Sequence, residues 1–160
     1  MSSAMFKLRQ RFLEKAIRFY GPFLGAAVKV DEVSKDYRYA KVRMPLTFYN
    51  KNYMGTQFGG SLYAMVDPWF MLMLIKNLGS DYIVWDKAAT IQFKKPGKST
   101  VTAEFNLSQE VIDEIKAYVE ENTKMDKVFK VEIKDEEGKL IAEVDKVLYI
   151  RKKNKEQAQR

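Results

Sequence analysis

Two spacings of apolar residues divide this chain into its elements. Residues 5–20 follow a helical period, with Phe6, Phe12, Leu13, Ile17 and Tyr20 near one face and Arg9, Arg11, Lys15 and Arg18 mostly opposite. Gly21-Pro22 ends that helix. Alternation then takes over. Ala26, Val28 and Val30 predict one strand; Ala40, Val42 and Met44 predict a second, after a charged turn at Ser34 to Asp36, and Pro45 closes it. Residues 47–58 are rich in Asn, Tyr and Gly, carry no period and read as a loop. From Gly59 to Asn77 the chain is apolar almost all round, which predicts a buried helix stopped by Gly79. Its Met65, Met71 and Met73 read as adaptable core filler.

Two longer strands follow. Residues 82–95 place Ala89, Ile91 and Phe93 on one face, with Thr90, Gln92 and Lys94 on the other. Pro96-Gly97 turns the chain, and Val101, Ala103, Phe105 and Leu107 alternate after it. Ser108 is an N-cap for the acidic helix "QEVIDEIKAYVEEN", whose apolar side is Val111, Ile112, Ile115 and Val119. Phe129, Val131 and Ile133 then lead into the turn "DEEGK", and residues 140–150 return as a strand of mixed alternation. An all-apolar helix needs a surface to cover it. A curved antiparallel sheet wrapped around it supplies one, so the fold class is α+β.

The 160 residues suit one domain over residues 1–150, opening with the amphipathic helix of residues 1–22. The closing "RKKNKEQAQR", residues 151–160, reads as a frayed basic tail. No run approaches the ~18 apolar residues of a membrane span. The charged amphipathic N-terminus does not resemble a secretory signal, so the expected location is the cytoplasm. A net charge of +7 points to an anionic partner, yet part of it sits in the tail, and a nucleic acid is not expected. Cysteine and histidine are both absent. That excludes disulfides, a thiol nucleophile, a Ser-His-Asp triad and a histidine zinc site. Acid–base chemistry must come from Asp, Glu, Lys, Tyr or held water.

One acid interrupts an uncharged run: Asp67 in "NYMGTQFGGSLYAMVDPWFML", residues 52–72. It has two readings. Asp-Pro is a good helix start, with Asp67 as N-cap and Pro68 as first helical residue. Otherwise Asp67 is a mid-helix acid, and Pro68 removes a backbone bond and kinks the helix there. Gly59 and Gly60 at the helix start leave backbone N–H groups and a positive dipole end open to an oxyanion, with no Cβ in the way.

The segment Asn52, Gly55, Gly59, Gly60, Asp67 resembles the active-site segment of hotdog-fold acyl-CoA thioesterases, especially the phenylacetate-pathway type. The strand order around the buried helix resembles that fold over roughly residues 24–150. The resemblance favours the mid-helix reading, because the whole spacing matches and not the acid alone. It implies Asp67 as base or nucleophile, Asn52 orienting water or the thioester oxygen, and Gly59 within the oxyanion site. Substrate contacts fall to Gly55, Phe58, Gly60, Tyr63, Asp86, Lys94 and Lys95. It also implies a homodimer or dimer of dimers, since the acid of one subunit faces the glycines of the other. No metal or cofactor is implied beyond coenzyme A as part of the substrate. Two positions depart from the family: Phe58 stands where those enzymes have His, and Asp86 where many have Ser or Thr. Asp86 also reads as a strand-end ion pair, and Lys94, Lys95 and Lys98 as solvated turn lysines. Three functions follow: a thioesterase, a non-catalytic acyl or acyl-CoA binder, and a basic regulatory or nucleic-acid-binding protein.

Overall fold

Among the described residues, six strands form one antiparallel sheet in the order β1-β2-β4-β5-β6-β3. The computed structural model describes residues 17–154. Strands β1 (Lys29–Val33) and β2 (Tyr39–Met44) pair first, and β2 then pairs with β4 (Val101–Asn106). Strands β5 (Lys124–Asp135) and β6 (Leu140–Lys152) make a long hairpin. Among the described residues, β3 (Tyr82–Phe93) pairs only with β6 and forms an edge. The expected alternation is realised: Ala40, Val42 and Met44 are fully buried, as are Val101, Phe105 and Ile133. The fold is the α+β hotdog arrangement that the sequence led us to expect.

The central helix comes in two pieces, α2 (Gly59–Val66) and α3 (Trp69–Leu78). Pro68 has no N–H to give the preceding turn, so the regular ladder stops there. Both Asp67 and Pro68 keep right-handed helical backbone angles. The indole of Trp69 donates to the Met65 carbonyl at 3.0 Å, which repairs part of the break. Gly79, at φ 88°, closes α3. A chain of ring contacts runs from Phe23 through Trp69, Phe105 and Phe70 to Phe129, where the last two stack at 4.7 Å. These rings lock α3 onto the sheet.

Three expectations need correction. Gly21-Pro22 opens a short helix, α1 (Gly21–Ala26), because proline suits a first helical turn. Ala26 therefore ends a helix instead of starting a strand, with Ala27 left-handed at φ 60°. The last strand also runs past Ile150 to Lys152, where Arg151 and Lys152 pair with Ile83 and Tyr82. The helix expected over residues 5–20 falls mostly outside the described residues; its described end, Ile17–Phe19, is a 3₁₀ turn.

Helix α4 (Gln109–Asn122) shows the usual division between local and core stabilisation. The Ser108 hydroxyl accepts from the Val111 N–H, and Ile112, Ile115 and Val119 are buried. Replacing Ser108 with Ala should cost about 1 kcal/mol. Ile115→Ala should cost roughly 2–5 kcal/mol, because it leaves a cavity. Urea unfolding of both variants would check the ranking.

Candidate active site

Asp67 meets a partner that the spacing of the opening motif does not announce. Lys146, on β6, is buried to 3 % exposure and projects its ammonium group at the break between α2 and α3. It donates to the Asp67 carboxylate and, at 2.9 Å, to the Tyr63 hydroxyl. It also pairs with the Asp86 carboxylate at 3.1 Å. Within the sheet its neighbours are Phe129 on β5 and Ala89 on β3. Tyr63 and Asp67 lie four residues apart on the helix, so they share a face and reach the same cation.

Asp86 reaches that cation because of a β-bulge. Asp86 pairs with Leu148, Ala88 with Val147 and Ala89 with Lys146, leaving Lys87 as the extra residue. In a regular strand, positions 86 and 89 would point to opposite faces. The bulge turns Asp86 onto the inner face beside Ala89 and Lys146.

An ammonium buried alone would cost several kcal/mol, and three acceptors offset that cost here. Burial pulls the Lys146 pKa down, but hydrogen bonds to Asp67, Tyr63 and Asp86 outweigh it and push it up to about 12. Burial raises Asp86, and the charge of Asp67 adds to the rise while Lys146 opposes it. Burial likewise raises Tyr63. The lysine stays charged between two carboxylates that keep contact with solvent, 41 % exposed for Asp67 and 32 % for Asp86. The cluster therefore holds a strong cation, two acids and a hydroxyl at the surface of the central helix.

The other site residues gather at the far end of α2. A Cβ on Gly59 would lie 2.8 Å from the Phe93 ring, and one on Gly60 would lie 2.5 Å from the Phe58 ring. The two rings thus rest on the helix start. Asn52 shapes the preceding loop: its Oδ1 accepts from the N–H groups of Met54 and Thr56, and its Nδ2 donates to Thr56 and Gln57. Gly55 sits in that turn at φ 76°, which few other residues adopt. Lys94 bonds Gln92 at 2.6 Å, and the backbone N–H groups of Lys94 and Lys95 both donate to the Ile141 carbonyl. A shallow cleft of about 330 Å³ brings Asn52, Leu62, Phe93, Lys94 and Lys95 together. From Gly59 to Asp67 the helix rises by about 12 Å, so one chain holds its acid cluster and its helix start apart.

Lys146 escaped the motif reading, although its strand carries the signal. Ala142, Val144, Leu148 and Ile150 are the inward positions of β6, and Lys146 falls among them in the same alternation. A lysine in a buried apolar register needs a partner. Among the described residues no group of acids is placed to hold a metal ion, and no helix is long and apolar enough to cross a membrane.

Sheet order and the central helix define the hotdog fold. The chain belongs to the domain-of-unknown-function family DUF4442, whose model matches residues 9–150. It is similar to a Pseudomonas aeruginosa protein of unknown function described as a probable thioesterase, at 20 % identity and a TM-score of 0.74, covering 92 % of this chain and 96 % of that one. It is also similar to a thioesterase from Haemophilus influenzae, at 16 % identity and a TM-score of 0.62, covering 85 % and 86 %. A mutant of a Staphylococcus aureus thioesterase matches at 17 % identity and a TM-score of 0.57, covering 81 % and 97 %. At such identities the likeness is one of fold. No curated protein matches the chain.

The raised Lys146 pKa has a measurable consequence. A folded pKa above the unfolded value gives stability that is present below pH 10.5 and is lost as pH rises through about 12. The stability difference between wild type and Lys146→Met should therefore shrink across that window, by no more than about 2 kcal/mol in all. Denaturant unfolding at stepped alkaline pH would check this; a constant difference would contradict it.

Proposed function

We propose that this protein is a cytoplasmic acyl-CoA thioesterase that works as a homodimer or a dimer of dimers, with Asp67 as its base. The observation that carries the reading is the cluster itself: a solvent-reached carboxylate held on the central helix by a buried lysine, in a hotdog fold. Asp67 takes a proton from water as the water oxygen attacks the thioester carbonyl. The carbonyl oxygen becomes an oxyanion, which backbone N–H groups at a helix start can stabilise. Collapse breaks the C–S bond and releases the fatty acid and the coenzyme A thiolate, which takes up a proton.

Two features support a second copy at the site. The first is the separation of Asp67 from its own helix start, which keeps one carbonyl from meeting both. The second is β3, a 12-residue edge whose inner face carries the half-buried Ile91 and the 57 % exposed Phe93. Long exposed edges invite pairing. A partner paired there would bring its Gly59 and Gly60 toward Asp67. Lys94, Lys95 and Lys98 would then face the phosphates of coenzyme A. Phe58 and Phe93 would line the path of the acyl chain.

One observation favours a second reading. The Phe58 and Phe93 rings rest on the glycines that a thioester must approach. A protein that shields a bound acyl chain without turnover would use such rings as a cover. Thiol release from short-, medium- and long-chain acyl-CoA separates the two readings. Asp67→Asn should lower the rate at least about 10²-fold with the fold intact. Equal rates would remove Asp67 from the chemistry, and tight binding without turnover by wild type would establish the shielding role.

A further inference from the structure

We infer that Lys146 is a positioning residue that holds Asp67 and Asp86 on one cation, so that the two acids do not share a proton and Asp67 stays available as the base. This deepens the thioesterase reading and rests on it. Three facts exclude other roles for the lysine. It is charged through the physiological range, so it cannot accept a proton. It donates to Asp67 and Tyr63 and is ion-paired with Asp86, so a substrate oxygen would have to displace one of them. It is 3 % exposed, so nothing from solvent reaches it without displacing one of those partners.

The need for such a residue follows from the geometry. Both carboxylates touch the same nitrogen, which brings them within about 6 Å of each other; at that distance like charges push one acid to keep its proton. The bulge at Lys87 and the break at Pro68 lie beside the two acids that meet at this nitrogen. The titratable groups that face Lys146 are Tyr63 and Asp67 from the helix and Asp86 from β3; β5 offers Phe129, and β6 offers Val144 and Leu148 beside it. Take away the lysine, and the pair titrates as a coupled unit.

The test compares wild type, Lys146→Met, Asp86→Asn and the double variant Lys146→Met/Asp86→Asn. The readouts are kcat and KM for thiol release against pH, and the ¹³C carboxyl resonances of aspartate against pH. Lys146→Met should change KM less than about threefold and move the acid limb of kcat up by about one pH unit, which lowers kcat about tenfold at pH values below the wild-type limb. Adding Asp86→Asn should bring that limb back, because the competing acid is gone. A lysine that only supports the fold would lower kcat in both variants and leave the limb in place, and that result overturns the inference. Should Lys146→Met fail to fold, Asp86→Asn alone decides: the limb moves to lower pH, or the inference falls. The carboxyl titration needs no turnover. A carboxyl titration of the pair that lies about one pH unit higher in Lys146→Met than in wild type supports the inference even if Asp67 proves not to be the base of a thioesterase. Matching titrations in the two proteins overturn it, whatever the activity.

Discussion

A lysine taken out of water needs every one of its donors met, and this requirement organises the inner face of the molecule. Lys146 stands in a register of buried aliphatic residues, where a lone ammonium would be strongly unfavourable. Its acceptors come from two different elements. The helix supplies Tyr63 and Asp67 from one turn, and β3 supplies Asp86 through a bulge. Each of those placements is a local irregularity or a polar residue in an apolar helix. Taken singly they look like flaws in the packing, and around Lys146 they form one satisfied cluster.

The same cluster explains why the central helix tolerates its break. A continuous helix would carry its apolar face from Leu62 to Leu78 without interruption. Pro68 instead ends the ladder beside Asp67, and Trp69 covers the nearby Met65 carbonyl from its side chain. The break lies between two anchored halves. On one side the rings of Phe70 and Phe129 hold α3 to the sheet; on the other, Phe58 and Phe93 lie against the start of α2. Strand β3 connects the two ends, with Asp86 near one and Phe93 near the other. Its inner face remains open to solvent along most of this length, and in the proposed dimer a second copy covers it.

Much of the fold was legible in the sequence because its signals are local. Alternation located β2, β4 and β5, and Ser108 marked the start of α4. Period-two reading failed at Ala26, where a Gly-Pro pair starts a helix whose end overlaps the alternating run. The site was less legible, for two physical reasons. Asp67 followed by Pro68 fits both a helix N-cap and a helix interior, and the structure puts it between the two: Asp67 closes α2 with right-handed helical angles, one residue before the cap of α3. The face of Asp86 depends on one inserted residue, Lys87, and simple alternation places it on the side opposite to Ala89. Lys146 was within reach. A charged residue in an inward register stands out in the sequence itself, provided the strand is read for its exception as well as for its period.

The proposed chemistry turns on an acid of one chain working against the helix start of another. Mixing two inactive variants tests this most directly. Chains carrying Asp67→Asn and chains carrying Gly60→Val, unfolded and refolded together in equal amounts, should form mixed dimers in which one of the two sites has both an intact acid and an intact helix start. Thiol release should return to about one quarter of wild type if assembly is random. If each chain builds its site alone, the mixture stays as inactive as its two parents, and the shared site is contradicted.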